Sequence, residues 1–333
     1  MVLKSKKIKA LTAGIMLTLA MGLLGGCGSD KKEAGDKKVN VGIVQMVEHE
    51  ALDAANKGFV DGMAAKGFKE GQNVVYDRQN AQADQSNLQN IAHRFVSNKV
   101  DLICAIATPA AQTVANVTKD IPIVATAVTD YEAAKLVKAN DKPGTNVTGT
   151  TDMNPVEAQL DLLLKLVPGA KTIGTIYCSS EVNSQLQVEL LKKAAAAKGI
   201  TVKEATVSTV NDIQQAAQSL VGDVQAIYVP TDNVLASAMP TLNVVTAEAK
   251  LPVICGEGGM VKAGGLATLG IDYYKLGVQT GEMAADILSG KAKPADMAIQ
   301  AQKNFTVIVN KKEAQKIGLT IPEDVLKDAK IIE

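Results

Sequence analysis

The sequence predicts an α/β protein of two doubly wound parallel-sheet lobes. Three observations carry this. From Val39 onward, short β-rich runs alternate with amphipathic helical patterns, which is the order of βαβ units. Runs such as "LICAIA" and "IPIVATAV" are apolar throughout, as strands covered on both faces are. The rhythm breaks once, around "DKPGTNVTGTTDMNP", where Pro143, Gly144 and Gly149 mark a turn-rich crossing, and then starts again.

In the first unit "VNVGIVQM" reads as a strand and "EALDAANKGFVDGMAAKG" as a helix, followed by strand "NVVYDRQNA" and helix "QSNLQNIAHRFVSNK". Strand "VDLICAIA", helix "PAAQTVANVTKD" and strand "IPIVATAV" complete it. The second unit opens with helix "VEAQLDLLLKLVP", strand "KTIGTIYC", helix "SQLQVELLKKAAAAKG" and strand "ITVKEATV". It continues with helix "DIQQAAQSLVG", strand "VQAIYVP", one helix over "VLASAMPTLNVVTAEAK", strand "LPVICG", a short helix and strand "GLATLGI". Helix "YYKLGVQTGEMAADILSG", strand "FTVIVN" and helix "KKEAQKIG" close the chain; this tail is too small for a domain and returns to complete both lobes.

The N-terminus predicts the address. Lys4, Lys6, Lys7 and Lys9 precede the apolar run "LTAGIMLTLAMGLLGG", the pattern of a Sec export signal. Leu24-Gly25-Gly26-Cys27 resembles the bacterial lipobox, which implies a diacylated Cys27 at the mature N-terminus and a lipid-anchored protein facing outside the cytoplasm. "GSDKKEAGDKK" then reads as a polar tether. Residues 1–26 hold four lysines and no acids, so the remainder carries 31 basic against 35 acidic residues, without a basic cluster to favour nucleic acid. The expected division is 1–26 signal peptide, 27–38 tether, 39–149 plus 271–297 for the N-terminal lobe, and 150–270 plus 298–333 for the C-terminal lobe. Cys104, Cys178 and Cys255 each sit in or end an apolar strand and read as buried small hydrophobes. Two strands apart, roughly 9–10 Å, Cys178 and Cys255 are too distant for a disulfide.

In open parallel sheets ligands bind outside the carboxyl ends of the strands. Those ends read Gln45-Met46-Val47-Glu48-His49, Ala107-Thr108-Pro109 and Thr126-Ala127-Val128-Thr129-Asp130 in the first unit. In the second they read Tyr177-Cys178-Ser179-Ser180, Pro230-Thr231-Asp232-Asn233, Gly256-Glu257-Gly258-Gly259 and Gly270-Ile271-Asp272-Tyr273. Helix capping accounts for some of these, but not for Gln45, Glu257 and Asp272 together, which points to a ligand cleft between the lobes. Thr108 with Pro109 opening a helix suits a carboxylate. Asp232, Glu257 and Asp272 suit an ammonium, so an amphoteric ligand would use both. The chain has no Gly-x-Gly-x-x-Gly after the first strand, no P-loop, no Gly-x-Ser-x-Gly elbow and no metal-spaced Cys or His pair, so no catalysis, cofactor or metal is expected. His93, mid-helix, reads as structural.

The stretches "VGIVQMVEHEALDAANKGFVDG", "NAQADQSNLQNIAHRFVSNKVDLICAIATPAAQ", "VTGTTDMNPVEAQLDLL", "AIYVPTDNVLASAM" and "VICGEGGMVKAGGLATLGIDYYKLGVQTGEMAADIL", with "IPEDVL", span nearly the whole chain after Cys27. They resemble the ABC-transporter substrate-binding lipoproteins of the type I periplasmic-binding-protein fold, in the branch associated with tryptophan and related aromatic amino acids. The resemblance implies a monomeric two-lobe clamp, its lobes joined by a three-stranded hinge, that delivers its ligand to an ABC permease driven by a cytoplasmic ATPase. The branch's pocket segments match at "VQMVEH", "IATPA", "AVTD", "PTDN", "GEGG" and "GID". Candidate ligand-binding positions are Gln45, His49, Thr108, Pro109, Thr129, Asp130, Thr151, Tyr177, Asn183, Thr231, Asp232, Asn233, Glu257 and Asp272. With no Trp, a stacking platform would come from Tyr177, Tyr131 or Tyr273. Hinges are expected near Thr148 to Thr151, near Gly270 to Asp272 and in "DMAIQAQKN". A binding protein for a sugar or nucleoside, and a sensor subunit for a membrane receptor, remain as alternatives.

Overall fold

The computed structural model describes residues 38–333; the expected signal peptide, Cys27 and nearly all of the expected tether lie outside the described residues. The chain runs β1 (Val39–Gln45), α1 (Glu50–Ala65), β2 (Val74–Asn80), α2 (Gln85–Ser97), β3 (Leu102–Ile106), α3 (Thr108–Val117), β4 (Ile123–Val128) and β5 (Val147–Thr151). It continues through α4 (Val156–Leu166), β6 (Thr172–Cys178), α5 (Val182–Ala197), β7 (Thr201–Val207), α6 (Ile213–Gln218), β8 (Ile227–Val229), α7 (Asn233–Ser237) and α8 (Met239–Glu248). Then come β9 (Val253–Cys255), α9 (Gly258–Lys262), β10 (Ala267–Gly270), α10 (Tyr273–Leu288), β11 (Gln300–Ala301), β12 (Thr306–Asn310), α11 (Lys311–Ile317), α12 (Glu323–Leu326) and β13 (Lys330–Ile332).

Two sheets result, in the orders β11-β5-β4-β3-β1-β2 and β13-β12-β10-β9-β8-β6-β7. Each places its first strand between the second and third, the doubly wound arrangement whose crevice opens at the strand carboxyl ends. One apolar cluster fills the first lobe around Ile43, Phe59, Phe95 and Ile103. In the second lobe Tyr228 and Ile254 belong to one cluster while their neighbours Val229 and Cys255 belong to another, so the pleat divides the core between the two faces of the sheet. Cys104, Cys178 and Cys255 are buried free thiols.

The tail does return to both lobes. Leu276, Met283 and Ala284 of α10 join the first core, whereas Val309, Ala314 and Val325 join the second. Three details differ from the sequence expectation. First, β5 stays whole in the first sheet and β11 pairs with it, so the chain crosses between sheets at 152–155, 271–272 and 302–305 instead of at 149/150 and 297/298. Second, β12 runs antiparallel to β10, and β13 follows it, because a strand arriving from the other lobe needs no helical crossover. Third, "VLASAMPTLNVVTAEAK" is two helices: the backbone leaves helical geometry at Ala238 (φ −129°), two residues before Pro240, whose ring cannot continue the α7 ladder.

Candidate functional site

The ends of β4 and β5 show how sequence aims polar groups at the crevice. The register of β4 against β5 shifts between Ala125 and Val128, and Ala127 sits at φ +54°, a bulge that re-aims the chain into Thr129. Gly149 on β5 holds φ +152°, and a Cβ there would stand 1.9 Å from the Ala125 carbonyl oxygen, so only glycine fits beside the bulge. The buried Tyr131 hydroxyl lies 2.8 Å from the Ala125 carbonyl and 3.0 Å from that of Thr150. Tyr131 therefore pins the bulge and offers no stacking face.

A cavity lies where these ends meet the second lobe. His49, Thr129, Asp152 and Tyr273 wall it from the first sheet and the crossings; Asn183, Thr231, Asp232, Asn233 and Glu257 wall it from the second. Leu52, Ala127, Ala236 and Met260 supply apolar surface. The lobes touch directly: Thr129 Oγ1 is 3.4 Å from Thr231 Oγ1, His49 Nε2 is 3.5 Å from Asn233 Oδ1, and Lys262 of α9 pairs with Glu50 of α1. About 10 Å³ remains inside, room for about one water. A ligand of amino-acid size enters only when the lobes part.

The electrostatics are lopsided. Asp152 is buried, accepting from Tyr273 Oη at 2.7 Å and Thr129 Oγ1 at 3.1 Å. Glu257 is buried at the start of α9, accepting from the Gly259 and Met260 N–H groups. Burial pushes Glu257 up to about 7 against those bonds, and it raises Asp152 as well. Behind the wall, burial and then the Asp232 charge raise Glu181, and burial raises Asp232. No cationic side chain lowers any of the four. Burial holds His49 down at about 4, against its bond to Asn233, so it stays neutral at pH 7. The wall is rich in acceptors and short of positive charge.

The structure brings together His49, Thr129, Asn183, Thr231, Asp232, Asn233 and Glu257 from the expected positions, and leaves the others off the cavity wall. Asp232 faces inward but is fully engaged: its carboxylate accepts from Leu235 N–H at 2.9 Å, Cys178 N–H at 2.6 Å and Ser184 Oγ at 2.7 Å. The "PTDN" aspartate is thus a helix cap and a brace, with no oxygen free for an ammonium. Gln45 is buried and spent on Val47, Asp53 and Asn56. Asp130 accepts from Ala133 N–H in its own turn, and Thr151 donates to the Thr129 carbonyl. Asp272 is exposed, capping α10 through Lys275 N–H. Tyr177 points away to donate to Glu204 on β7, because strand alternation puts it on the outer face beside the buried Ile176 and Cys178. Thr108 is buried with its hydroxyl unpartnered, and neither it nor Pro109 lines the cavity.

Sequence reasoning missed Asp152 and, behind Asn183 and Asn233 on the opposite wall, Glu181. Asp152 follows a crossing strand rather than a helix-forming strand end; the signal that could have found it is "TTDMNP", an acid in a turn-rich link with no lysine or arginine within ten residues on its N-terminal side except Lys142. Among the described residues no group of His, Cys, Asp and Glu side chains is arranged to hold a metal ion.

Two doubly wound lobes, three crossings and a polar cavity closed between them define a two-lobed binding clamp. The chain belongs to the ABC transporter substrate binding protein family, whose profile matches residues 40–332. It is 45% identical over 318 residues to a tyrosine-binding protein of Clostridioides difficile (strain R20291), covering 92% of this chain and 91% of the relative. A Streptococcus pneumonia domain solved in complex with L-Trp superposes with TM-score 0.86 at 42% identity, covering 89% of this chain and all of that one. The ligand-free, open structure of a substrate-binding protein with adhesive properties from Clostridium difficile is 46% identical and covers 89% of this chain and 99% of that one, yet its TM-score is 0.68. Better superposition on the liganded relative, despite slightly lower identity, identifies the lobe arrangement here as closed. The protein is a substrate-binding protein of an ABC transporter and works outside the cytoplasm. Among the described residues no helix is long and apolar enough to cross a membrane.

Proposed function

We propose that this protein captures an aromatic α-amino acid by lobe closure and hands it to its permease without chemical change. The observation that carries the reading is the pair Asp152 and Glu257: two buried carboxylates facing one cavity whose lining holds no lysine or arginine. A ligand ammonium supplies the missing charge, which a neutral sugar does not. The tyrosine-binding and L-Trp-bound relatives support an aromatic side chain, for which Leu52, Ala127, Ala236 and Met260 offer apolar surface. The unpartnered, buried Thr108 hydroxyl at the start of the ten-residue α3 supports a carboxylate seat there once the lobes open around a ligand. We further propose a monomer tethered by acylated Cys27, whose lobes divide at the three crossings and swing about them.

The pH dependence tests the ammonium seat. In the ligand-free protein Glu257 holds a proton between its ordinary 4.5 and about 7. The native state therefore binds more protons than the unfolded chain there, and this group's contribution to stability falls as pH rises through that window. His49, depressed from 6.5 to about 4, acts oppositely, its contribution being lost as pH falls through that range. Ammonium binding needs the carboxylates ionised. Affinity for L-Tyr or L-Trp is expected to rise from pH 5 to about 7 and then level off, with net proton release at pH 6 when calorimetry is repeated in buffers of different ionisation heat. A flat profile without proton release, or equal binding of a deaminated analogue, would rule out this seat.

A further inference from the structure

Two buried acceptors in the cavity have no donor, and their orientation is fixed by a carboxylate that never touches the ligand space. Glu181 is buried and accepts from Asn233 Nδ2 at 2.6 Å, from the Asn233 N–H at 3.2 Å and from Asn183 Nδ2 at 2.9 Å. Asn183 Nδ2 also donates to the Thr231 carbonyl at 2.8 Å. A carbonyl only accepts, so the amide nitrogen of Asn183 must face it. Asn183 Oδ1 is left buried and unpartnered on the cavity wall.

The same logic sets the histidine. Asn233 spends its amide N–H on Glu181, so its Oδ1 faces His49 Nε2 across 3.5 Å. That nitrogen must then carry the ring proton, and Nδ1 is a bare lone pair, also buried and unpartnered. Each lobe thus contributes one unmet acceptor. An acceptor buried without a donor costs about 1–3 kcal/mol, so a ligand that brings a donor to either gains over one that leaves both empty.

Resting on the amino-acid reading above, we infer that one of the two acceptors, His49 Nδ1 or Asn183 Oδ1, receives the single hydrogen-bond donor on the ligand's ring, so the site selects aromatic amino acids bearing a ring O–H or N–H over phenylalanine. Asp152 and Glu257 take the ammonium, while the Glu181 carboxylate acts as a positioning residue through both asparagines. Sites built to bind a ligand hydroxyl or N–H reject the analogue lacking it far more strongly than apolar pockets reject a missing methylene.

The experiment is calorimetry on the unaltered protein with L-Tyr against L-Phe, and L-Trp against 3-benzothienyl-L-alanine, in which sulfur replaces the indole N–H. We expect the donor-bearing member of each pair to bind at least about tenfold tighter. Of Asn183→Leu and His49→Leu, the variant that removes the acceptor taking the ring donor should shrink the Tyr/Phe ratio by weakening Tyr more than Phe. Phe binding as tightly as Tyr overturns the inference while leaving the amino-acid reading intact, as does a Tyr/Phe ratio that neither variant changes. Binding of none of the four overturns the amino-acid reading itself. Should either variant fail to fold, the ligand pairs on the unaltered protein still decide.

Discussion

Asp152→Asn is expected to weaken binding of an aromatic amino acid by about 100-fold while leaving the ligand-free melting temperature unchanged or slightly higher. Breaking one partner of a buried charge pair costs about 2–5 kcal/mol, and the ammonium would lose its contact with Asp152. The fold loses little. Thr129 Oγ1 still finds an acceptor at Oδ1, and the Tyr273 hydroxyl, now donating 2.7 Å from Oδ2, rotates to accept from the new amide. Without ligand the change removes a buried carboxylate with no cation beside it, which is neutral or stabilising. Asp232→Asn makes the contrast. Its oxygens take three donors, so one N–H or O–H would face an amide N–H, costing about 1–3 kcal/mol of stability. Calorimetry and a melting curve on the two variants separate the roles. If Asp152→Asn melts early with affinity intact, Asp152 is a hinge strut and the ammonium sits elsewhere.

That contrast marks what the sequence can and cannot convey. Alternation of runs, apolar strands and turn-rich crossings made both sheets legible, because they are local patterns set by backbone periodicity. Asp232, Glu257 and Asp272 are alike in sequence: each is an acid two or three residues past a strand, at the start of a helix. Their differences come from tertiary packing. Ser184 and Cys178 consume the first, α1 and the crossing chain bury the second, and nothing covers the third. Tyr177 misled for a related reason, since a one-residue step along β6 decides which face a side chain takes. Asp152 escaped notice because its partners, Thr129 and Tyr273, lie 23 and 121 residues away. The orientation of Asn183 and His49 was still less accessible, since it depends on Glu181 and on hydrogen-bond directions that no spacing records.

Gly277→Ala is expected to destabilise the protein by about 2 kcal/mol and to weaken ligand binding as well, although the residue never approaches the cavity. In "GFVDG" of α1 and "GVQTG" of α10, glycines four apart form a flat stripe on each helix. A Cβ at Gly277 would stand 2.0 Å from the Ala55 carbonyl oxygen, and one at Gly58 would stand 2.1 Å from that of Tyr274. At Gly62 and Gly281 the clash is 2.2 Å, with the carbonyls of Val278 and Phe59. Every obstructing atom is backbone, so the helices themselves must separate, whereas a side chain could turn aside. Alanine gains about 1 kcal/mol of helix propensity over glycine, but overpacking a core costs about 1–3 kcal/mol and occasionally more, and rigid backbone places this site at the upper end. The clash wins. Tyr273, one turn earlier on α10, moves with the helix and carries its 2.7 Å bond to Asp152 with it. Loss of stability and loss of affinity should therefore appear together in melting and calorimetry. A Gly277→Ala protein with unchanged or raised melting temperature would mean that α10 slides over α1 freely, and that the tail docks on the first lobe without setting the geometry of the cavity.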